Sequence, residues 1–129
     1  MIGAEVRSRI ALARLMVAEE LLDNLPGELG MRTALSRGYY GLFHSAQAAL
    51  LTVNEKQAGP GLKHGTVARL VRRRWGATVG QLYDDAKSAR RDADYEPVTE
   101  FVQTTVSRQL KDIRARVDLF CLEAERVLK

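Results

Sequence analysis

The chain has 129 residues, 46% of them hydrophobic and 28% charged, with a formal charge of +4 and one cysteine. That length suits a single domain, residues 1–129, with enough apolar material for a core, and the composition is that of a folded globular protein, not a disordered one. Lone Cys121 excludes an intrachain disulfide framework, no stretch reads as a membrane span, and the early, evenly spread charges from Glu5 to Arg14 are not those of a signal peptide. The expectation is a cytoplasmic protein that does not engage a membrane.

The charge is uneven. From Lys63 to Arg91 eight basic residues (Lys63, Arg69, Arg72, Arg73, Arg74, Lys87, Arg90 and Arg91) stand against Asp84 and Asp85, a local +6, so the remainder carries −2. This is the footprint expected of a phosphate-binding surface, or of a solvated helix face.

Apolar periodicity predicts a first helix from Ala4 to about Asn24, with Val6, Ile10, Ala13, Val17 and Leu21 drawing one stripe that Leu12, Leu15, Met16 and Leu22 widen. Pro26, Gly27 and Gly30 mark a loop. A second helix is expected from about Met31 to Val53, its core stripe formed by Leu35, Tyr39 or Leu42, Ala46, Ala49 or Leu50, and Val53. Gly59-Pro60-Gly61 breaks the chain. A third helix from Leu62 to about Trp75 turns Val67, Leu70 and Val71 inward. Gly76 and Gly80 are read as interrupting it, and a shorter fourth helix covers about Val79 to Ala93. Glu96-Pro97 marks the start of the last helix. There Val98, Val102, Val106, Leu110, Ile113, Val117, Phe120, Ala124 and Val127 step by fours and threes. No strand pattern or repeat is present, and the short loops favour antiparallel neighbours. The fold class is all-α, a helical bundle.

Two stretches carry candidate chemistry. In Ser36-Arg37-Gly38-Tyr39-Tyr40-Gly41-Leu42-Phe43-His44, helical spacing puts Arg37, Tyr40, Gly41 and His44 on one stripe, beside an apolar stripe of Leu35, Tyr39, Leu42, Phe43 and Ala46. The glycines thin the helix, so another helix, a second copy of the chain or a ligand is expected to pack closely there. In Arg90-Arg91-Asp92-Ala93-Asp94-Tyr95, Arg90 and Asp94 are four apart, as are Arg91 and Tyr95. The pattern suits a structural ion pair, or a group that binds phosphate or moves a proton.

The only histidines, His44 and His64, have no zinc-ligand spacing to each other or to Cys121, and no di-iron carboxylate set is present. The glycines near Pro60 lack the features of a phosphate-binding loop. No metal and no cofactor are expected.

The Ser36–His44 stretch resembles the "S-R-x-Y-Y-x-x-F-H" helix of HEPN-domain proteins (higher eukaryotes and prokaryotes nucleotide-binding). Lys63-His64-Gly65 is similar to the "H-x-G" element that follows it, and Arg90 to Tyr95 to the "R-x-x-A-D-Y" before the last helix. The resemblance spans nearly the whole chain in matching order. It implies a bundle of about four long helices plus a short extra one. It also implies a homodimer that brings two motif copies together, and a setting beside a minimal nucleotidyltransferase in a toxin–antitoxin or defence pair. Many such proteins cut RNA, and a tyrosine near the motif can be a target of nucleotide transfer.

The nuclease signature of that family is arginine, four to six residues, then histidine. Here Arg90 is followed after four residues by Tyr95, a poorer acid or base near neutral pH; Arg37 and His44 meet the spacing on the earlier helix. The catalytic candidates are therefore Arg90, Tyr95, His44 and Arg37. The binding candidates are Tyr40, Asp94, Arg91, His64 and Lys63. Metal-independent RNA cleavage and a non-catalytic module for nucleotide, RNA or a partner protein both stay open.

Overall fold

The computed structural model describes residues 4–24, 27–52, 64–96 and 100–126. Among them the chain forms five helices and no strand: α1 Ala4–Asn24, α2 Glu28–Thr52, α3 His64–Trp75, α4 Ala77–Tyr95 and α5 Gln103–Arg126. The architecture is an all-α helical bundle. No helix among the described residues is long and apolar enough to cross a membrane.

α2 is the central element, touching all four other helices. A helix enclosed this way must be slim, and Ala34, Gly38, Gly41, Ser45, Ala46, Ala48 and Ala49 are all buried along it. Where it meets α5, a Cβ on Gly38 would lie 2.9 Å from Leu110 Cδ2. The inward stripe of α5 is the expected one from Val106 through Leu110, Ile113, Val117 and Phe120 to Ala124, all buried. Burying a phenylalanine such as Phe120 contributes about 1.5–3 kcal/mol, and its ring also meets Trp75 of α3 edge-on at 4.9 Å. Cys121 is buried, as its place in an apolar pattern implies.

Four element boundaries and one face differ from the sequence reading. α2 begins at Glu28, a turn before Met31, because Gly27 turns the chain with φ +86° and Glu28 holds Arg32 from the first turn. α4 runs from Ala77 to Tyr95, longer at both ends than expected. Gly76 alone, at φ +96°, makes the corner between α3 and α4. Gly80 is no interruption; it lies inside α4, where a Cβ would come within 2.7 Å of Arg72 Cβ and 3.0 Å of Arg72 Cα. α5 begins at Gln103, not near Pro97, and Val102 is left exposed. Among the α1 side chains described, Leu15 and Ala18 are fully buried, with Leu12 and Leu22 packed against the core, whereas Ala13, Met16 and Val17 are exposed; the side chains of Val6 and Leu21 from the expected stripe lie outside them. α1 is apolar on more than one side, so periodicity did not choose its face; the large leucines went inward against the slim α2. Leu62, Val53, Val98 and Val127 lie outside the described residues.

A second, smaller cluster of Met31, Leu35, Ala93 and Val106 closes the end of the bundle where α2 starts and α4 stops. Arg32 fastens that end. Its Nη1 donates to the carbonyls of Asp92 and Ala93, both at 3.1 Å; the first also accepts from the C-cap N–H of Glu96, and the second is a last-turn acceptor that the arginine meets. Its Nε and Nη2 donate to Glu28 Oε1 at 3.0 and 2.8 Å, and its guanidinium covers the Phe101 ring at 4.7 Å.

Gly38 and Gly80 separate a yielding contact from a rigid one. Gly80→Ala is expected to destabilise by about 1–3 kcal/mol, because the obstruction includes backbone of α3. Gly38→Ala should cost distinctly less, because Leu110 Cδ2 can rotate away while alanine gains about 1 kcal/mol of helix propensity. Urea unfolding of both variants checks the order.

Candidate functional site

The polar end of the α2–α4 interface is built from two short periodic sets. On α2, Ser36, Tyr39, Tyr40 and Phe43 face the gap. On α4, Tyr83, Lys87, Arg90 and Asp94, spaced four, three and four, share the opposing face. His64, the first residue of α3, stacks on Phe43 with centroids 4.2 Å apart and on Tyr39 at 5.5 Å.

Arg90 is the centre. Its Nη2 donates to the Tyr40 hydroxyl at 2.7 Å, and its Nε lies 2.9 Å from Asp94 Oδ2. That ion pair is close but poorly aligned, since the Nε–H makes no well-formed hydrogen bond. Ser36 Oγ donates to the same Asp94 oxygen at 3.3 Å. The guanidinium carbon is 5.2 Å from the centroid of Tyr40, 5.5 Å from Tyr95 and 6.0 Å from Tyr39, a three-ring setting favourable to a cation. Burial works against the charge, but Tyr40, Asp94 and Tyr95 outweigh it and hold Arg90 more firmly protonated than usual.

Beneath the arginine lies a buried tyrosine pair. Tyr39 is fully buried and its hydroxyl is 2.6 Å from His64 Nδ1. Burial pushes the Tyr39 pKa up to about 12, so this hydroxyl keeps its proton. The Tyr83 hydroxyl is buried with no well-formed hydrogen bond, although Tyr39 and Tyr83 influence each other's charge; burial raises Tyr83 far above the ordinary phenol range. His64 is shifted the other way: partial burial, then the charges of Arg90 and Lys87, lower its pKa, and the ring is neutral at pH 7. Tyr39 Oη and His64 Nδ1 share one hydrogen bond whose donor follows the imidazole tautomer. His64 thus presents a neutral ring beside a fixed cation.

The structure gathers Tyr40, His64, Arg90, Asp94 and Tyr95 into one cluster. Arg37 stands apart. It is exposed and lines an opening of about 230 Å³ with Ile10, Ala13, Arg14 and Val17 of α1. The expected stripe of Arg37, Tyr40 and His44 is therefore split: residues three apart differ by about 60° around the helix, enough here to send Arg37 toward α1 and Tyr40 toward α4. His44 is half-buried and meets the Phe43 ring edge-on at 5.3 Å. Arg91 is exposed; Tyr95 covers Arg90 and makes no ring contact with Arg91. Lys63 lies outside the described residues. Among the described residues no group of three or more His, Cys, Asp or Glu could hold a metal.

Four contributors were not singled out from the sequence as site residues: Ser36, Tyr39, Tyr83 and Lys87. Three of them carried a usable signal, since Tyr83 and Lys87 fall on the helical face of Arg90 and Asp94, and Ser36 falls four residues before Tyr40. The basic face of α3 borders the cluster in sequence but is partly spent, with Arg72 Nη2 bound to Asp84 Oδ2 at 3.0 Å. No protein-family model matches the chain, and no curated protein matches it.

The lowered pKa of His64 has a consequence for stability. The unfolded ring titrates near 6.5 and the folded one lower, so the folded state binds its proton later. This contribution is fully present above pH 6.5 and is lost as pH falls through the folded value. Wild type should lose stability across the interval below about pH 6.5, as pH falls toward the folded value, and His64→Gln should flatten that loss. Urea midpoints of both proteins across the interval measure it.

Proposed function

We propose that this chain is a HEPN-type helical module that binds single-stranded RNA or nucleotide through phosphate contacts at Arg90. In this reading it acts as a homodimer and as the RNA-facing member of a nucleotidyltransferase-paired toxin–antitoxin or defence system. The observation that carries the reading is the assembly around Arg90 of residues from all three motif stretches: Ser36, Tyr39 and Tyr40 from the first, His64 from the second, Asp94 and Tyr95 from the third. Side chains distant in sequence and individually ordinary converge on one fixed cation, with aromatic faces beside it.

The chemistry favours binding. A guanidinium fixed by Tyr40 and Asp94 is pre-oriented, so little freedom is lost when a phosphate docks. His64, neutral, adds a second donor in the tautomer that accepts from Tyr39 at Nδ1 and keeps its proton on Nε2. Exposed Tyr95 adds a stacking surface, and the surrounding +6 segment raises the local concentration of polyanions. Cleavage is the second reading, favoured by the placement of a histidine within the field of Arg90. It requires His64 to present an unprotonated nitrogen to a 2′-hydroxyl.

One experiment addresses both. Fluorescence anisotropy with a labelled oligouridine should show binding by wild type that weakens steeply with salt, and Arg90→Ala should lose about tenfold or more in affinity. Arg90→Lys, which keeps the charge without the planar fork, should fold and bind with intermediate affinity. Gel analysis of the same samples with EDTA present reports any cutting. Folded wild type that fails to bind at low salt, or Arg90→Ala that binds as wild type does, overturns the proposal.

A further inference from the structure

Beside the Arg90 cluster lies an open groove of about 590 Å³, lined by Glu28, Leu29, Arg32, Ala93, Asp94 and Tyr95. Its size suits a nucleobase-sized group. Leu29 is 68% exposed and Tyr95 66% exposed, so a leucine from the start of α2 and an aromatic ring from the end of α4 present apolar surface to solvent in one place. Asp94 and Tyr95 belong both to this groove and to the Arg90 cluster. A ligand with a phosphate on Arg90 would carry its next planar group here.

Beside Arg32 and the Tyr95 hydroxyl, the polar lining is acidic. Glu28 spends Oε1 on Arg32, and its Oε2 makes no hydrogen bond among the described residues. Asp94 spends Oδ2 on Arg90 and Ser36, and its Oδ1 is likewise uncommitted. The donors of Arg32 are turned to Glu28 and to the carbonyls of Asp92 and Ala93. The groove therefore offers two carboxylate acceptors, each already neutralised by its own arginine, beside a stacking ring. A planar ligand must bring donors to them, because an acceptor placed against these oxygens would be left unpaired.

We infer that this groove is a base-recognition subsite selective for guanine, with Tyr95 as the stacking platform and Glu28 Oε2 and Asp94 Oδ1 as acceptors for the N1–H and 2-amino groups. Guanine alone among the four RNA bases presents two adjacent donors on its Watson–Crick edge. Adenine, cytosine and uracil each set an acceptor beside their donor and meet a carboxylate with a lone pair. This inference rests on the proposed binding of RNA at Arg90 and adds the base that the neighbouring surface selects.

The test uses four labelled heptamers: all uridine, and uridine with a single central guanine, adenine or cytosine. Wild type should bind the guanine oligomer at least about fivefold more tightly than the other three. Glu28→Gln, which can still accept from Arg32 but turns an amide toward the base, should erase the preference, bringing the four oligomers to within about twofold of one another. Tyr95→Ala should weaken all four, the guanine oligomer most. Equal binding of all four by wild type, or a guanine preference that survives Glu28→Gln, overturns the subsite while leaving the Arg90 reading intact. Failure of every oligomer to bind folded wild type overturns the Arg90 reading itself and this inference with it.

Discussion

The bundle depends on how thin α2 is. Four helices close around it, and they can do so only because small residues recur along its length and Gly38 admits the side chain of Leu110. Close packing of this kind leaves few choices for the large residues that remain. Leu35, Leu42 and Leu50 enter the core, and Tyr39, Tyr40 and Phe43 fill the sector facing α3 and α4. The aromatic sector is thus a by-product of the constraint that makes α2 central. Gly80 repeats the principle on a smaller scale, drawing α3 against α4 through Arg72 and so fixing His64 and Arg90 on adjoining helices.

Arg90 resolves the polar problem that this packing creates. Two tyrosines and an aspartate at a helix interface need partners, and a guanidinium supplies several donors in one plane. Tyr40 and Asp94 take two of them, and the rings of Tyr39, Tyr40 and Tyr95 surround the charge. A half-buried cation of this sort is costly to hold without compensation, and its carboxylate partner is itself shared with Ser36. The ion pairs elsewhere, such as Arg114 with Glu19 at 2.6 Å between α5 and α1, are half-exposed and contribute about 1 kcal/mol or less each. The Arg90 cluster differs in kind: it is layered over a buried tyrosine pair and a neutral histidine, an arrangement suited to recognition.

The all-α class, the five helices and the inward stripe of α5 were legible in the sequence because α5 buries one face only, the case in which periodicity is informative. α1 was misread by a step because it is apolar on several sides, and its orientation is decided by the partner surface of α2. Gly80 looked like a breaker because a glycine gives the same local signal whether it ends a helix or lets a neighbour approach. In the candidate site, the Arg90–Asp94 pair was readable from its spacing of four. The contact of Tyr40 with Arg90 spans fifty residues, and no local pattern encodes it. Arg37 shows the complementary failure. It shares a helical stripe with Tyr40 on a wheel, yet faces α1, because a stripe at the junction of two neighbours divides between them. The resemblance brought the three motif stretches forward together, and their order along the chain is also the order in which the helices supply the cluster.

The most direct measurement of the central claim is a nuclear magnetic resonance titration of isotope-labelled protein with a short single-stranded RNA, observing arginine Nε–H, histidine ring and tyrosine ring signals. Binding at the described cluster predicts that Arg90, His64 and Tyr95 shift together along one saturating curve while Arg37 stays fixed. Shifts centred on Arg14 and Arg37, or none at Arg90 when RNA is bound, would contradict it.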